Sequence, residues 1–215
     1  MRIPFTVEEF LGLFETYNLS IWPAQLVFNI LAVSSFVLLV RESRHSSRII
    51  FSFLAFLWFW MGLVYHILFF SSINPVANVF GIAFIIQGFL FAYFGVIKGV
   101  LLLKFRMDLS GFVGLFLLVY ALVIYPILGF QFGHSYPKGP TFGVPCPTTI
   151  FSFGILLFSV DRVSWYLWII PFLWSLIGFS AAFDLSIKED FGLVVAGVLT
   201  VAINAFQKQR RQLKS

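Results

Sequence analysis

Among the side chains able to do chemistry, the single cysteine, Cys146, and two of the three histidines, His66 and His134, stand out. Cys146 lies in the string Gly143-Val144-Pro145-Cys146-Pro147-Thr148-Thr149, at the end of a Gly- and Pro-rich loop, 131–147. Pro147 suits the first position of a helix, where its missing N–H costs nothing. Cys146 then takes the N-cap, and a helix N-terminus favours a thiolate, the form that binds metal or attacks an electrophile. His66 stands about 27 Å along a helix from Arg48, near the same end as the loop. His134 is in the loop itself. A His–His–Cys set suits zinc or copper. The three residues share no ligand-spacing motif, and each has a plainer alternative. These are a packed cysteine, a histidine bonded to a neighbouring helix, and a solvated loop histidine.

A second set carries hydrogen-bonding groups. Trp22, Gln25 and Asn29 fall at i, i+3 and i+7 on one helical face. Gln87 sits at similar depth on a later apolar run. Polar groups in a lipid-surrounded bundle turn inward. Gln25, Asn29, His66, Gln87, Thr148 and Thr149 therefore form the expected substrate-binding set. Each alone also serves as interhelical glue, at roughly 0.6 kcal/mol.

The composition dictates the solvent that surrounds these residues. Of 215 residues, 60% are hydrophobic and 11% charged, and the mean hydropathy is +0.97. A soluble domain carries about 25% charged residues, so this surface matches lipid. Each crossing needs ~20 apolar residues. Apolar runs predict spans near 21–40, 49–70, 79–103, 111–130, 148–160, 165–183 and 191–206. Before them, Val7, Phe10, Leu11, Phe14 and Tyr17 share one face of a helix over 6–18, opposite Glu8, Glu9 and Glu15. Thr6 and Glu9 form its capping box, and it lies in the interface. The expected fold class is an all-α integral membrane protein. It is one domain, 1–215, built as a bundle of about seven transmembrane helices with an N-terminal amphipathic interfacial helix. Run 148–160 gives only about 20 Å of helix. The loop before it therefore dips inward, with Cys146 below the outer surface of an outward vestibule.

Charge orients the bundle. The net charge is +5. Arg41, Arg44, Arg48, Lys104, Arg106, Arg162, Lys208, Arg210, Arg211 and Lys214 all fall in links or tails on one side. That is the positive-inside pattern, N-out and C-in, rather than a nucleic-acid surface. Asp184, Glu189 and Asp190 outnumber Lys188 in the last outer link, 184–190. No acidic residue falls mid-span, which argues against a carboxylate relay. Lys98 is close enough to Lys104 to snorkel to the interface. Gly81, Gly88 and Gly95 recur every seventh residue, which allows close helix approach and marks the third span as central. The last span has no lysine for a retinal Schiff base. There is no His-Glu-x-x-His motif or Gly-x-Ser-x-Gly elbow, and no internal repeat of the inverted-transporter kind. The N-terminus lacks a signal-peptide pattern, and one cysteine excludes an internal disulfide.

Several strings carry a resemblance: Pro4-Phe5-Thr6-Val7-Glu8-Glu9-Phe10-Leu11, Trp22-Pro23-Ala24-Gln25, Trp60-Met61-Gly62-x-x-Tyr65-His66, Ile73-Asn74-Pro75 and Pro145-Cys146-Pro147-Thr148-Thr149-Ile150. Over nearly the whole chain it resembles an uncharacterised bacterial family of polytopic membrane proteins, domain of unknown function 6064. The resemblance implies a bacterial cytoplasmic (inner) membrane location and carries no activity.

The expected function is a permease or ligand-binding membrane protein whose outward-facing site opens between spans one, two, three and five. Its ligand is a small molecule or ion, with a soft metal such as zinc or copper, or a thiol-reactive species, as the sharper version. The alternatives are a thiol-dependent membrane enzyme built on Cys146, or a structural partner of another membrane protein or of a second copy. The lipid bilayer is the common partner in each case. Reporter fusions at residue 146 and at the C-terminal tail should report opposite compartments. Fusions reporting one compartment would overturn the orientation.

Overall fold

The computed structural model describes residues 4–160 and 163–212, the last six as backbone only. Met1–Ile3, Arg162 and Lys214 lie outside the described residues, as do the side chains of Lys208, Arg210 and Arg211.

The first helix, α1 (Val7–Ser20), starts where its sequence signals it. Thr6 Oγ1 accepts from Glu9 N at 3.2 Å, and Glu9 Oε2 accepts from Thr6 N at 2.7 Å. Those bonds, the backbone one foremost, hold the Glu9 carboxyl below its usual range. The face of α1 carrying Phe10, Leu13, Phe14 and Tyr17 packs on Tyr65, Phe70, Ala77, Val144, Leu185 and Ile187. This one cluster gathers residues 5–17, 65–77, Val144 and 182–187 at one end of the bundle. α2 (Ala24–Val40) leaves α1 at 84°.

α3 (Arg44–Trp60) is capped by the Ser43 hydroxyl and continues as a π-helix, Met61–Phe69, and a 3-10 turn, Phe70–Ser72. α4 (Ala77–Phe91) also ends in a π-helix, Ala92–Ile97. α5 (Leu109–Val119) is capped by Asp108 and passes through a π turn, Tyr120–Ile124, into α6 (Tyr125–Gln131). Then come α7 (Pro145–Leu156), α8 (Tyr166–Leu185), a 3-10 turn (Lys188–Asp190) and α9 (Phe191–Gln212). No strand longer than an isolated bridge forms among the described residues. The all-helical expectation holds.

The count of seven spans does not. Five helical stretches are long and apolar enough to cross a membrane, six if the bent pair α1 and α2 is one span. The expected span 148–160 is instead the 12-residue helix α7, buried from Pro147 to Leu156. Its apolar run continues, but through a turn at Leu157 and Phe158 rather than as helix. The expected span 79–103 likewise stops helically at Ile97. The two non-helical segments bond to each other. Lys104 N donates to Phe158 O at 3.0 Å, and Val160 N to Leu102 O at 2.9 Å. Leu103 N donates to Ser47 Oγ at 3.0 Å, and Arg106 Nη2 to Leu157 O at 3.1 Å. α7 itself is about 18 Å long, and these bonds tie the turn that follows it to residues 102–106.

The glycine stripe faces inward, against α3. A Cβ on Gly81 would lie 2.8 Å from the Gly62 carbonyl oxygen, and one on Gly88 would lie 2.9 Å from Phe59 Cδ1. Gly95 meets Phe51. The stripe does not make α4 central. The most buried of the long helices is α3, and α7 lies among α5, α8 and α9. Trp58 on α3, fully buried, joins the two centres by donating Nε1–H to Ser152 Oγ at 3.0 Å.

Gly81→Ala should destabilise by about 1–3 kcal/mol through overpacking against backbone. Gly12→Ala, with nothing within 4 Å, should be neutral or stabilising by up to ~1 kcal/mol. Thermal denaturation in detergent compares the two.

Candidate functional site

The expected site residues separate in space. Pro145, not Pro147, takes the first position of α7, and Val144 is the N-cap. Cys146 is therefore inside the helix rather than capping it. A Cβ at Gly178 would meet Cys146 Sγ at 3.8 Å and Trp174 Nε1 at 3.9 Å, and the Asp190 carboxyl lies beside the sulfur. Thr148 is structural: its Oγ1 accepts from Gly143 N at 3.1 Å and fixes the loop entering α7. Thr149 is fully buried. His66 is enclosed by rings, with centroids 4.5 Å from Phe84 and 5.1 Å from Trp174. Neither of its nitrogens has a partner in the structure. Gln87 Nε2 donates to Leu167 O at 3.2 Å, tying α4 to the start of α8. Gln25 Nε2 donates to Asn18 O at 2.7 Å and staples α2 to α1. These last two act as the glue that polar residues in apolar bundles provide.

The trio His66, His134 and Cys146 does not assemble around one ion. Among the described residues, no three His, Cys, Asp or Glu side chains come together so as to hold a metal. His134 is engaged elsewhere: its Nδ1 lies 2.8 Å from Glu189 Oε1.

That contact leads to residues that sequence reasoning misses. Glu189 and Asp190, expected in a solvated link, are 0% and 6% exposed. Burying a carboxyl is costly unless donors surround it. Here they come from far along the chain. Tyr125 donates its phenol proton to Asp190 Oδ1. Tyr120 donates to the Glu189 carbonyl at 2.9 Å. His134 pairs with the Glu189 side chain. The two tyrosines are five residues apart, and in an α-helix they would point roughly 140° apart. The π turn between them, closed by Tyr125 N–H to Tyr120 O, has the wider i→i+5 repeat. It brings both phenols to the same turn. Gly192 leaves room for the Tyr120 ring.

A cavity of about 280 Å³ opens beside this cluster, between α2, the α5–α6 junction and the 131–144 loop. Asn29, Tyr125, Gly129, His134, Tyr136 and Thr141 are among its lining residues. Of the expected substrate and metal residues, only Asn29 and His134 reach it. The loop wall is held by Asn18, itself fully buried. Asn18 Nδ2 donates to Pro137 O at 2.7 Å and to Gly139 O at 2.8 Å, while Oδ1 accepts from Thr141 Oγ1 at 2.9 Å. Lys138 adds an ion pair to Glu15 at 3.6 Å. The arrangement can receive a small molecule against two aromatic rings, with two buried carboxyls behind the wall. The one sequence signal for it is an acidic pair abutting an apolar run with a glycine next to it, Glu189-Asp190-Phe191-Gly192.

Residues 7–215 match the model of a family of unknown function, DUF6064, and the chain belongs to that family. The resemblance read from its motifs is thereby established. No curated protein and no solved structure matches the chain.

Tyr125→Phe should destabilise by about 1–3 kcal/mol, because it strips a buried carboxyl of its donor. Tyr120→Phe, which removes a bond to a neutral carbonyl, should cost about 1 kcal/mol. Thermal melts of the two variants give the ranking.

Proposed function

We propose that this member of the DUF6064 family is a multi-pass protein of the bacterial cytoplasmic membrane. It binds a small polar ligand at its outer end, as a permease or ligand-binding protein. The carrying observation is that His134 and Tyr125 both line the cavity and each hydrogen-bonds one of two buried carboxyls. A molecule entering the cavity touches the groups that hold the acids.

Several features support the membrane setting. Five or six stretches have the length and apolarity to cross. Arg41, Arg44, Arg48, Lys98, Lys104 and Arg106 gather at the end opposite α1, as the positive-inside rule requires of a cytoplasmic face. Where the unwound segments meet, Leu101, Leu103 and residues 157–159 are buried by protein, the condition for irregular backbone at membrane depth. The thiol-enzyme alternative fits less well. Cys146 does not line the cavity, and its sulfur faces a carboxyl rather than the basic neighbours of an activated thiol. The glycine stripe supports no external partner, since α3 already fills it.

Purified full-length protein, screened against a panel of small polar solutes, should show a stabilising thermal shift with at least one. A solute at a hundred times its Kd adds about 2.7 kcal/mol. Ser135→Trp, at an exposed residue of the cavity lining, should abolish the shift, and Cys146→Ser should keep it. A shift lost in Cys146→Ser and kept in Ser135→Trp would move the site to the thiol. The absence of any shift across the panel would remove the ligand-binding reading.

A further inference from the structure

The charges around the cavity narrow the ligand further, given the binding reading above. Glu189 and Asp190 are adjacent and buried. Among the described residues, the ion pair that reaches either of them comes from His134 alone. The neighbouring lysines are turned elsewhere: Lys188 Nζ sits 5.3 Å from the centroid of the Phe132 ring, and Lys138 pairs with Glu15. Two carboxyls therefore face one imidazole, and Glu189 Oε2 has no hydrogen-bond partner among the described residues although the side chain is fully buried. Glu189 lies behind the cavity wall, close to the backbone of Gly129 and of His134. Gly129 lines the cavity, and a Cβ there would lie 3.6 Å from Glu189 Oε1. The rest of the wall includes the rings of Tyr125, Phe130, Tyr136 and Phe142.

We propose that the cavity takes a small organic cation, an alkylammonium, whose charge is met by Glu189 in competition with His134 and whose alkyl groups lie on the aromatic rings. Each part of the wall contributes. An ammonium near a ring face gains about 0.5–2 kcal/mol from the ring quadrupole, more when desolvated. An anion would meet two carboxyls. A bare metal ion would find no set of three ligating side chains among the described residues. The volume of about 280 Å³ sits at the small end of ligand pockets, which suits an ammonium of a few carbons.

The probes are choline, its uncharged carbon isostere dimethylbutanol, and propionate, titrated into full-length protein in detergent at constant ionic strength. Choline should bind at least tenfold more tightly than dimethylbutanol, and propionate should not bind. Glu189→Gln should weaken choline at least tenfold and leave dimethylbutanol unchanged. His134→Gln, which removes the competing imidazole, should strengthen choline, whereas a merely structural pair would weaken it in both variants. Should Glu189→Gln fail to fold, Tyr136→Ala, at an exposed cavity residue, should reduce the preference for choline over its isostere. Equal affinity for the two isosteres, abolished by Ser135→Trp, would overturn the cation assignment and leave the cavity reading intact. Choline binding that persists in Ser135→Trp, or no binding of any probe, would overturn both.

Discussion

Two neighbouring carboxyls, Glu189 and Asp190, are held away from water at the turn between α8 and α9, and much of this end of the molecule is shaped by their need for donors. A buried carboxyl without hydrogen bonds costs several kcal/mol. Tyr125 and His134 serve the carboxyls, and Tyr120 serves the Glu189 backbone carbonyl beside them. Recruiting the two tyrosines from one helix calls for the π turn at Tyr120–Ile124. Recruiting the third calls for the loop after α6 to fold back, which His134 N achieves by donating to Gly129 O at 2.7 Å. The cavity is what remains between that folded loop and α2. Its position follows from the acids rather than from the cysteine or from His66.

The loop could not hold this shape unaided. It is rich in glycine and proline and offers few backbone bonds of its own. Asn18 supplies the missing partners from α1, and Gln25 bonds the Asn18 carbonyl in turn. The first helix, the α1–α2 corner and the cavity wall are therefore one hydrogen-bonded unit. The first helix thus serves twice. It covers aromatic residues at the end of the bundle, and it sets the position of Tyr136 and Thr141.

Much of this is legible in the residues, and the rest is hidden for identifiable reasons. The capping box at Thr6 and Glu9, the apolar runs and the sorting of basic residues to one end are local or compositional signals, and the helices they predict are present. The span expected over 148–160 fails because hydropathy measures burial, not conformation. Leu157 and Phe158 are buried in the turn that ends α7, and a short apolar run does not reveal where its helix stops. Glu189 and Asp190 look solvated in the sequence because polarity beside a span normally means a link. Their burial depends on partners 55 to 69 residues distant. Asn29 and His134 are recognisable as site residues by type and depth. That His134 meets a glutamate, and not His66 or Cys146, follows only from how the loop returns.

The join between residues 101–104 and 157–160 bears on how the chain is made. A segment that enters a bilayer by itself needs enough apolar length to satisfy its own backbone there. α7 is too short for that, and the stretch completing its passage takes its bonds from residues 102 and 104. Those partners must already be in place when α7 emerges from the ribosome. α7 therefore meets α5 and residues 102–104 first, and is enclosed only when α8 and α9, made after it, close over it.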